Sequence, residues 1–411
     1  MKTFDEDLAA RLIDLREQGL YRELRRVDSA QTTRIQIQGQ TLLNFSSNDY
    51  LGLANDTALK AAATDAVEKY GAGSGASRLI CGSLAPHHEL EETLAAFKGT
   101  PAAIAFSSGY AAALGTICSL LDSNDVILVD KLVHACIVDA ARLSRAKLRV
   151  FGHNDLDDVE KILKWSDRRN SAAVSEEPLP TPRTLIVTES VFSMDGDQAP
   201  LGELFELKEK YGAWLMVDEA HATGLYGKRR RGLAEEMGVA GKIEIQMGTL
   251  GKALGSAGGY ICGSRALIDF LVNRARSFVF STAPVPAAAA AATAGLRFVQ
   301  SDAGETRRRQ LWDNVAKVAA RRSQAKKGTP LAGRRGKPGA IIPIMIGDEK
   351  KAVAISQRLR EQGIFIPAIR YPTVGRGEAR LRLTLTAGHT AADLDQMLAA
   401  LDSALNSDHA A

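Results

Sequence analysis

Residues 243–255 read Ile243-Glu244-Ile245-Gln246-Met247-Gly248-Thr249-Leu250-Gly251-Lys252-Ala253-Leu254-Gly255, a strand-like run that gives way at once to a turn holding three glycines and a lysine. Outward from it, the runs AAIAF from Ala102, VILVD from Val126, TLIVTE from Thr184, WLMVDE from Trp214 and GGYIC from Gly258 alternate with helix-like stretches. Short apolar runs in this rhythm predict βαβ units and a mostly parallel sheet covered on both faces. The expected fold class is α/β.

The chain has 411 residues, 45% of them hydrophobic, enough to bury one large core with a smaller one beside it. The 52 basic and 48 acidic residues leave a net charge of +4, too small to mark a nucleic-acid binder. Cys81, Cys118, Cys136 and Cys262 are scattered without metal-ligand or disulfide spacing, so they read as buried or idle thiols. The N-terminus has no apolar signal core and no run reaches membrane-span length, which predicts a soluble cytoplasmic protein.

Leu8, Leu12, Leu15 and Leu20 recur at helical spacing and predict an amphipathic helix from about Asp5 to Arg26, lying on the main body. Ser171 to Pro182 reads as a surface loop. Near residue 290 the pattern changes to basic helices, a glycine-rich loop near Gly333 to Gly339, and the strand-like IIPIMI and LRLTLT. The expected organisation is an N-terminal helical segment over 1–45, a large domain over 46–290 and a smaller C-terminal α+β domain over 291–411. Basic runs at Lys228 to Arg231, Arg307 to Arg309 and Arg334 to Lys337 read as solvated faces, with docking of an acidic carrier protein or phosphates as the sharper alternative.

Lysines usually sit on solvated faces, so Lys252 in a glycine-rich turn at a strand end calls for a reason. A Schiff-base lysine must approach a flat cofactor closely, and small neighbours leave room for it. The turn is no Walker A loop, because its glycine spacing differs and Ala253 follows the lysine. Asp218, closing the strand WLMV, has the character of an acid facing a pyridine nitrogen, and His221 could hydrogen-bond a phenolic oxygen. A metal reading of Asp218, Glu219 and His221 is weaker. Asp218 and Lys252 are far enough apart for one helix and one strand to intervene, so both can emerge at one sheet edge, where α/β sheets bind ligands. In Phe106-Ser107-Ser108-Gly109-Tyr110 a strand hands over to a helix, making Gly109 and Tyr110 candidates for a phosphate grip. His134 could stack on a cofactor ring.

Seven ordered motifs then fall into place: SSNDYLGL from Ser46, GAGSGASRLICGS from Gly71, TESVFSMDGDQAPL from Thr188, DEAHATG from Asp218, GTLGKALGSAGG from Gly248, FSTAP from Phe280 and PTVGRGEARLRLTLTAGHT from Pro372. Together they resemble the α-oxoamine synthases of the fold-type I pyridoxal-phosphate superfamily, and among them the 8-amino-7-oxononanoate synthase family, over nearly the whole chain.

The resemblance implies a large mostly parallel sheet domain with a smaller C-terminal domain, and pyridoxal 5'-phosphate as cofactor. Lys252 would carry it, Asp218 would face the pyridine nitrogen, His221 and Ser193 would be polar ligands, and His134 the stacking base. Thr249, Gly109 and Tyr110 would bind the phosphate. Ser281 and Thr282 would reach the phosphate of a second subunit, making a homodimer with shared sites. Arg382 would pair with the amino-acid carboxylate, its alternative being a strand arginine facing solvent. Asn48, Thr373 and one of Arg22 or Arg25 match substrate contacts. The loop Gly375 to Glu378 departs from the family's proline-containing form. The implied reaction condenses L-alanine with pimeloyl-CoA or a pimeloyl carrier protein, with decarboxylation, for biotin synthesis. A sibling activity such as glycine C-acetyltransferase shares Lys252 and Asp218, and a non-catalytic binding protein is the reading from another class.

Overall fold

The computed structural model describes residues 2–172, 182–324 and 337–406. Two compact units emerge: a terminal unit of residues 1–52, 194–196 and 309–411, and a central unit of 53–193 and 197–308. The central unit continues past 290 because the helix Pro286–Gln300 packs on the helices Thr57–Tyr70 and Ala85–Lys98 of the same unit.

The terminal unit begins with a hairpin of β1 (Arg34–Ile37) and β2 (Gln40–Asn44). Gln38 and Gly39, both at positive φ, form the two-residue turn whose twist suits the paired strands.

The central unit is a seven-stranded sheet of β3 (Ala102–Phe106), β4 (Val126–Asp130), β5 (Lys147–Phe151), β6 (Thr184–Glu189), β7 (Trp214–Asp218), β8 (Ile245–Thr249) and β9 (Gly259–Gly263). Its order is β3-β9-β8-β7-β6-β4-β5, with β9 antiparallel to both neighbours and the remaining pairs parallel. The core joins Ile127, Val129, Leu185, Val187, Met216, Ile245, Met247 and Ile261 of the strands to Ala112, Ile117 and Ile137 of covering helices. Each large aliphatic side chain so buried contributes about 1.5–3 kcal/mol. Strand β5 was missed because it is an edge strand whose Lys147 and Arg149 break the apolar run.

The terminal unit resumes with β10 (Ile341–Gly347), β11 (Ile364–Phe365), β12 (Ala368–Ile369) and β13 (Ala379–Thr384). β13 lies between β10 and β12 and is buried throughout, while β11 adds to β2.

Several expectations are corrected. The N-terminal helix is Phe4–Glu17, shorter than expected and ending before Gly19 at positive φ, and none of its residues is buried. Two basic runs are not simply solvated. Arg230 and Arg308 share Glu305, and Arg307 reaches Asp56. Cys81 is exposed while Cys136 and Cys262 are buried, and all are free thiols. Most of the loop expected from Ser171 to Pro182, the glycine-rich stretch up to Gly336 and the basic run from Arg334 lie outside the described residues. Among the described residues no helix is long and apolar enough to cross a membrane.

Candidate active site

Parallel strands put their C-terminal ends on one edge, and the ladder places Asp218 at the end of β7 opposite Met247 of β8 and Glu189 of β6. Lys252 follows β8 in the turn toward β9, and its Nζ lies 2.8 Å from His221 Nε2. Asp218 and His221 are 6% and 5% exposed, so the acid and the imidazole are largely dry, while Lys252 is half-buried. Asp218 Oδ1 accepts the Ala220 N–H at 2.9 Å. Successive strand residues point to opposite faces. Glu219 therefore leaves the site for a buried ion pair with Lys98, and also accepts the Ala234 N–H at 2.8 Å. That pairing removes Glu219 from the metal reading.

The glycines of the lysine turn have reasons beyond room for the cofactor. A Cβ at Gly248 would come 2.4 Å from the Tyr260 hydroxyl, and one at Gly255, at φ +69°, would come 2.6 Å from the Leu53 backbone. Two of the three are thus demanded by packing.

The helix Gly109–Leu120 starts at this edge, with Ser108 Oγ accepting the Ala111 N–H at 3.0 Å. The Gly109 and Tyr110 amides belong to the orphan donors of a helix start, where an anion is favoured. Tyr110 donates its hydroxyl to Asp139 at 2.7 Å. A Cβ on Gly109 would stand 4.0 Å from Thr249 Cβ, so the sequence-predicted phosphate contacts converge. β9 runs so close to this helix start that a Cβ on Gly259 would meet Gly109 N at 2.6 Å.

His134 precedes the helix Ala135–Leu143 and caps it, Nδ1 accepting the Cys136 N–H at 3.2 Å. That leaves Nε2 as the proton-bearing nitrogen of the neutral ring. Desolvation of its protein-facing side lowers the His134 pKa, partly offset by Asp218. The His134 backbone N–H is donated to Glu189, whose other carboxylate oxygen accepts the N–H of Ser193. Sequence reasoning missed Glu189, although it closes the run TLIVT as Asp218 closes WLMV. It also missed His153, which bridges Asp130 Oδ1 at 3.0 Å and Asp197 Oδ2 at 2.6 Å. Burial alone would lower the His153 pKa, but the two carboxylates outweigh it and raise the ring to about 9.

The GASRL and FSTAP motifs, remote in sequence, are joined. Ser77 bridges Thr282, Ala283 N donates to Ala76 O at 3.0 Å, and Ser74 Oγ donates to Pro284 O at 2.6 Å. Ser281 is half-buried and Thr282 exposed. Leu79, Ile80 and Phe280 around them are exposed by 50%, 78% and 71%.

In the terminal unit, Arg382 is 5% exposed, so it is no solvent-facing strand arginine. It donates to Asn48 Oδ1 at 3.0 Å and Thr384 Oγ1 at 3.1 Å. Arg22 donates to Thr373 Oγ1 at 3.2 Å, whereas the Arg25 guanidinium lies 5.7 Å from the Phe365 ring centre.

The donor set of the central unit fits pyridoxal phosphate: an amine for its aldehyde, a buried acid for its ring nitrogen, and helix-start amides with a threonine for its phosphate. The model of the family described as aminotransferase class I and II matches residues 40–401. A solved serine palmitoyltransferase from S. paucimobilis, with a bound pyridoxal-phosphate–myriocin aldimine, superposes with a TM-score of 0.87 at 28% identity, covering 99% of this chain and 98% of that one. The fold is that of the fold-type I pyridoxal-phosphate-dependent transferases, and pyridoxal 5'-phosphate is the cofactor. The 8-amino-7-oxononanoate synthase of Geobacter sulfurreducens is 46% identical over 394 residues, covering 96% of each chain. The solved enzyme of that name from Francisella tularensis matches at TM-score 0.73 and 27% identity, over 90% of this chain and 99% of that one. The chain belongs to the aminotransferase class I and II family and, within it, to the 8-amino-7-oxononanoate synthases.

Proposed function

We propose that this chain joins L-alanine to a pimeloyl thioester, on coenzyme A or an acyl carrier protein, releasing the thiol and carbon dioxide to give 8-amino-7-oxononanoate for biotin synthesis. The observation that carries this reading is the 2.8 Å approach of Lys252 Nζ to His221 at the sheet edge closed by Asp218, in a chain whose relatives bear that name.

Lys252 Nζ would hold the cofactor's aldehyde carbon, and the same amine would serve as the general base that takes the α-proton of alanine. When bound, pyridoxal phosphate supplies the electron sink that lets the α-carbon carry negative charge. Asp218 keeps the ring nitrogen protonated. His221 and Ser193 hold the phenolic oxygen, and His134 stacks on the ring. Gly109, Tyr110 and Thr249 hold the phosphate, joined by Ser281 and Thr282 of a second copy. The exposed apolar residues Leu79, Ile80 and Phe280 beside those two support a homodimer.

Arg382, oriented by Asn48, grips the alanine carboxylate, for which a planar guanidinium offers two parallel donors. Of the two N-terminal arginines, Arg22 takes the distal carboxylate of the pimeloyl chain, supported by its bond to Thr373. Arg370 adds positive charge there: burial, and then the charges of Arg22 and Arg25, lower its pKa, and an anion would relieve that crowding. The enzyme works in the cytoplasm.

The test is a matrix of alanine, glycine and serine against acyl thioesters of different length, with thiol release and product mass measured. Alanine with the pimeloyl thioester should be the productive pair. Release of thiol from glycine and acetyl-CoA alone would instead establish the sibling activity.

A further inference from the structure

Glu189 is 2% exposed at the end of β6, paired in the ladder with Asp218 on β7. Its carboxylate spans two segments that both follow C-terminal strand ends. Oε1 accepts the backbone N–H of His134, beyond β4, at 2.5 Å, and Oε2 accepts that of Ser193, beyond β6, at 3.2 Å. These are the two residues proposed above to stack on the cofactor ring and to hold its phenolic oxygen. We propose that Glu189 is a positioning residue of this enzyme, a single side chain that fixes His134 and Ser193 at the separation the cofactor requires.

A carboxylate suits this task because it only accepts, at two oxygens splayed about one carbon, and so can receive two backbone donors at once. Glutamine offers one accepting oxygen and turns an N–H₂ toward the second donor, and aspartate is one methylene too short to span both. The location carries an electrostatic cost. Burial first, and then the carboxylate of Asp218, push the Glu189 pKa well above the usual carboxylate range, while Lys252 and the two N–H donors pull the other way. A residue serving only to close a loop has no need of a second acid beside Asp218. The clamp places it there because the two amides it receives, of His134 and Ser193, follow the ends of β4 and β6.

The inference rests on the proposed function only in taking His134 and Ser193 as cofactor contacts. The experiment compares wild type with Glu189→Gln and Glu189→Ala, each stripped of cofactor and titrated with pyridoxal 5'-phosphate while visible circular dichroism is followed. The Gln variant should bind cofactor about ten-fold more weakly, as expected for one lost buried hydrogen bond. Its bound-cofactor dichroism should change in amplitude. Its kcat should fall while KM for alanine stays near wild type, and its apoprotein Tm should drop by only about 2–4 °C. The Ala variant should show the larger cofactor defect. Wild-type cofactor Kd and dichroism in both variants would overturn the proposal, whatever their Tm. Amide hydrogen exchange of the wild-type apoprotein gives a second check that needs no variant. The His134 and Ser193 amides should both be protected, and fast exchange at either overturns the clamp. If wild type failed to condense alanine with a pimeloyl thioester, the proposed reaction would fall while these cofactor readouts would still decide the role of Glu189.

Discussion

Lys252, as an isolated residue, has two properties that an ordinary surface lysine lacks: it is half-buried, and its amine meets an imidazole at 2.8 Å. Replacing it tests its role directly. Lys252→Ala should fold and bind cofactor without a covalent link, yet lose about a thousand-fold or more of turnover, since anchor and base are removed together. Borohydride treatment should then fix no cofactor to the protein, in contrast to wild type. Arg382 makes a different prediction. Its guanidinium is buried among Asn48 and Thr384, so Arg382→Ala should leave cofactor absorbance intact and raise KM for alanine about a hundred-fold, the loss expected of a buried charged contact. Steady-state kinetics with varied alanine measures it. The sequence could single out Lys252 because the turn around it is chemically odd, whereas Arg382 in ARLRL looks like any strand arginine until β13 is seen to be buried along its whole length.

At the scale of elements, the strand ends bring Glu189 and Asp218 together and their partners hold them in register. Glu219, one residue beyond Asp218, turns to the opposite side and pairs with Lys98 where both side chains are 1% exposed. Lys98→Met would strand that carboxylate in the core and should cost about 3–5 kcal/mol in chemical denaturation. His153 ties the loop after β5 to Asp130 at the end of β4 and to Asp197. Its pKa rises from 6.5 to about 9 in the folded protein, so the protonated ring binds its proton more tightly there than in the unfolded chain. The stability it adds is complete below pH 6.5, declines as pH rises, and is gone above about 9. Thermal melts should therefore show Tm falling between pH 7 and 9 more steeply in wild type than in His153→Gln. Neither His153 nor Glu189 was legible in the sequence. Each acts through groups supplied by other segments of the chain, and no spacing rule links them.

For the whole molecule, the N-terminal helix Phe4–Glu17 leaves Phe4 77% and Ile13 54% exposed, and Ile80 and Phe280 add further uncovered apolar surface. A second copy of the chain would cover such surface. Sedimentation should report a dimer, and Ile80→Asp with Phe280→Asp should shift it toward a monomer with loss of activity. What the sequence determined by itself was the layered α/β fold and the choice of Lys252 and Asp218 as the residues proposed for the cofactor's anchor and acid. Strand periodicity, glycine punctuation and residue chemistry are local properties, written within a few neighbouring positions. Tertiary structure alone decided that Glu219 turns away to Lys98, that Arg382 is buried beside Asn48, that Arg22 and not Arg25 meets Thr373, and that Glu189 joins His134 to Ser193. Those outcomes depend on which strands become neighbours and in what register, and that is fixed by burial of side chains from segments tens to hundreds of residues apart.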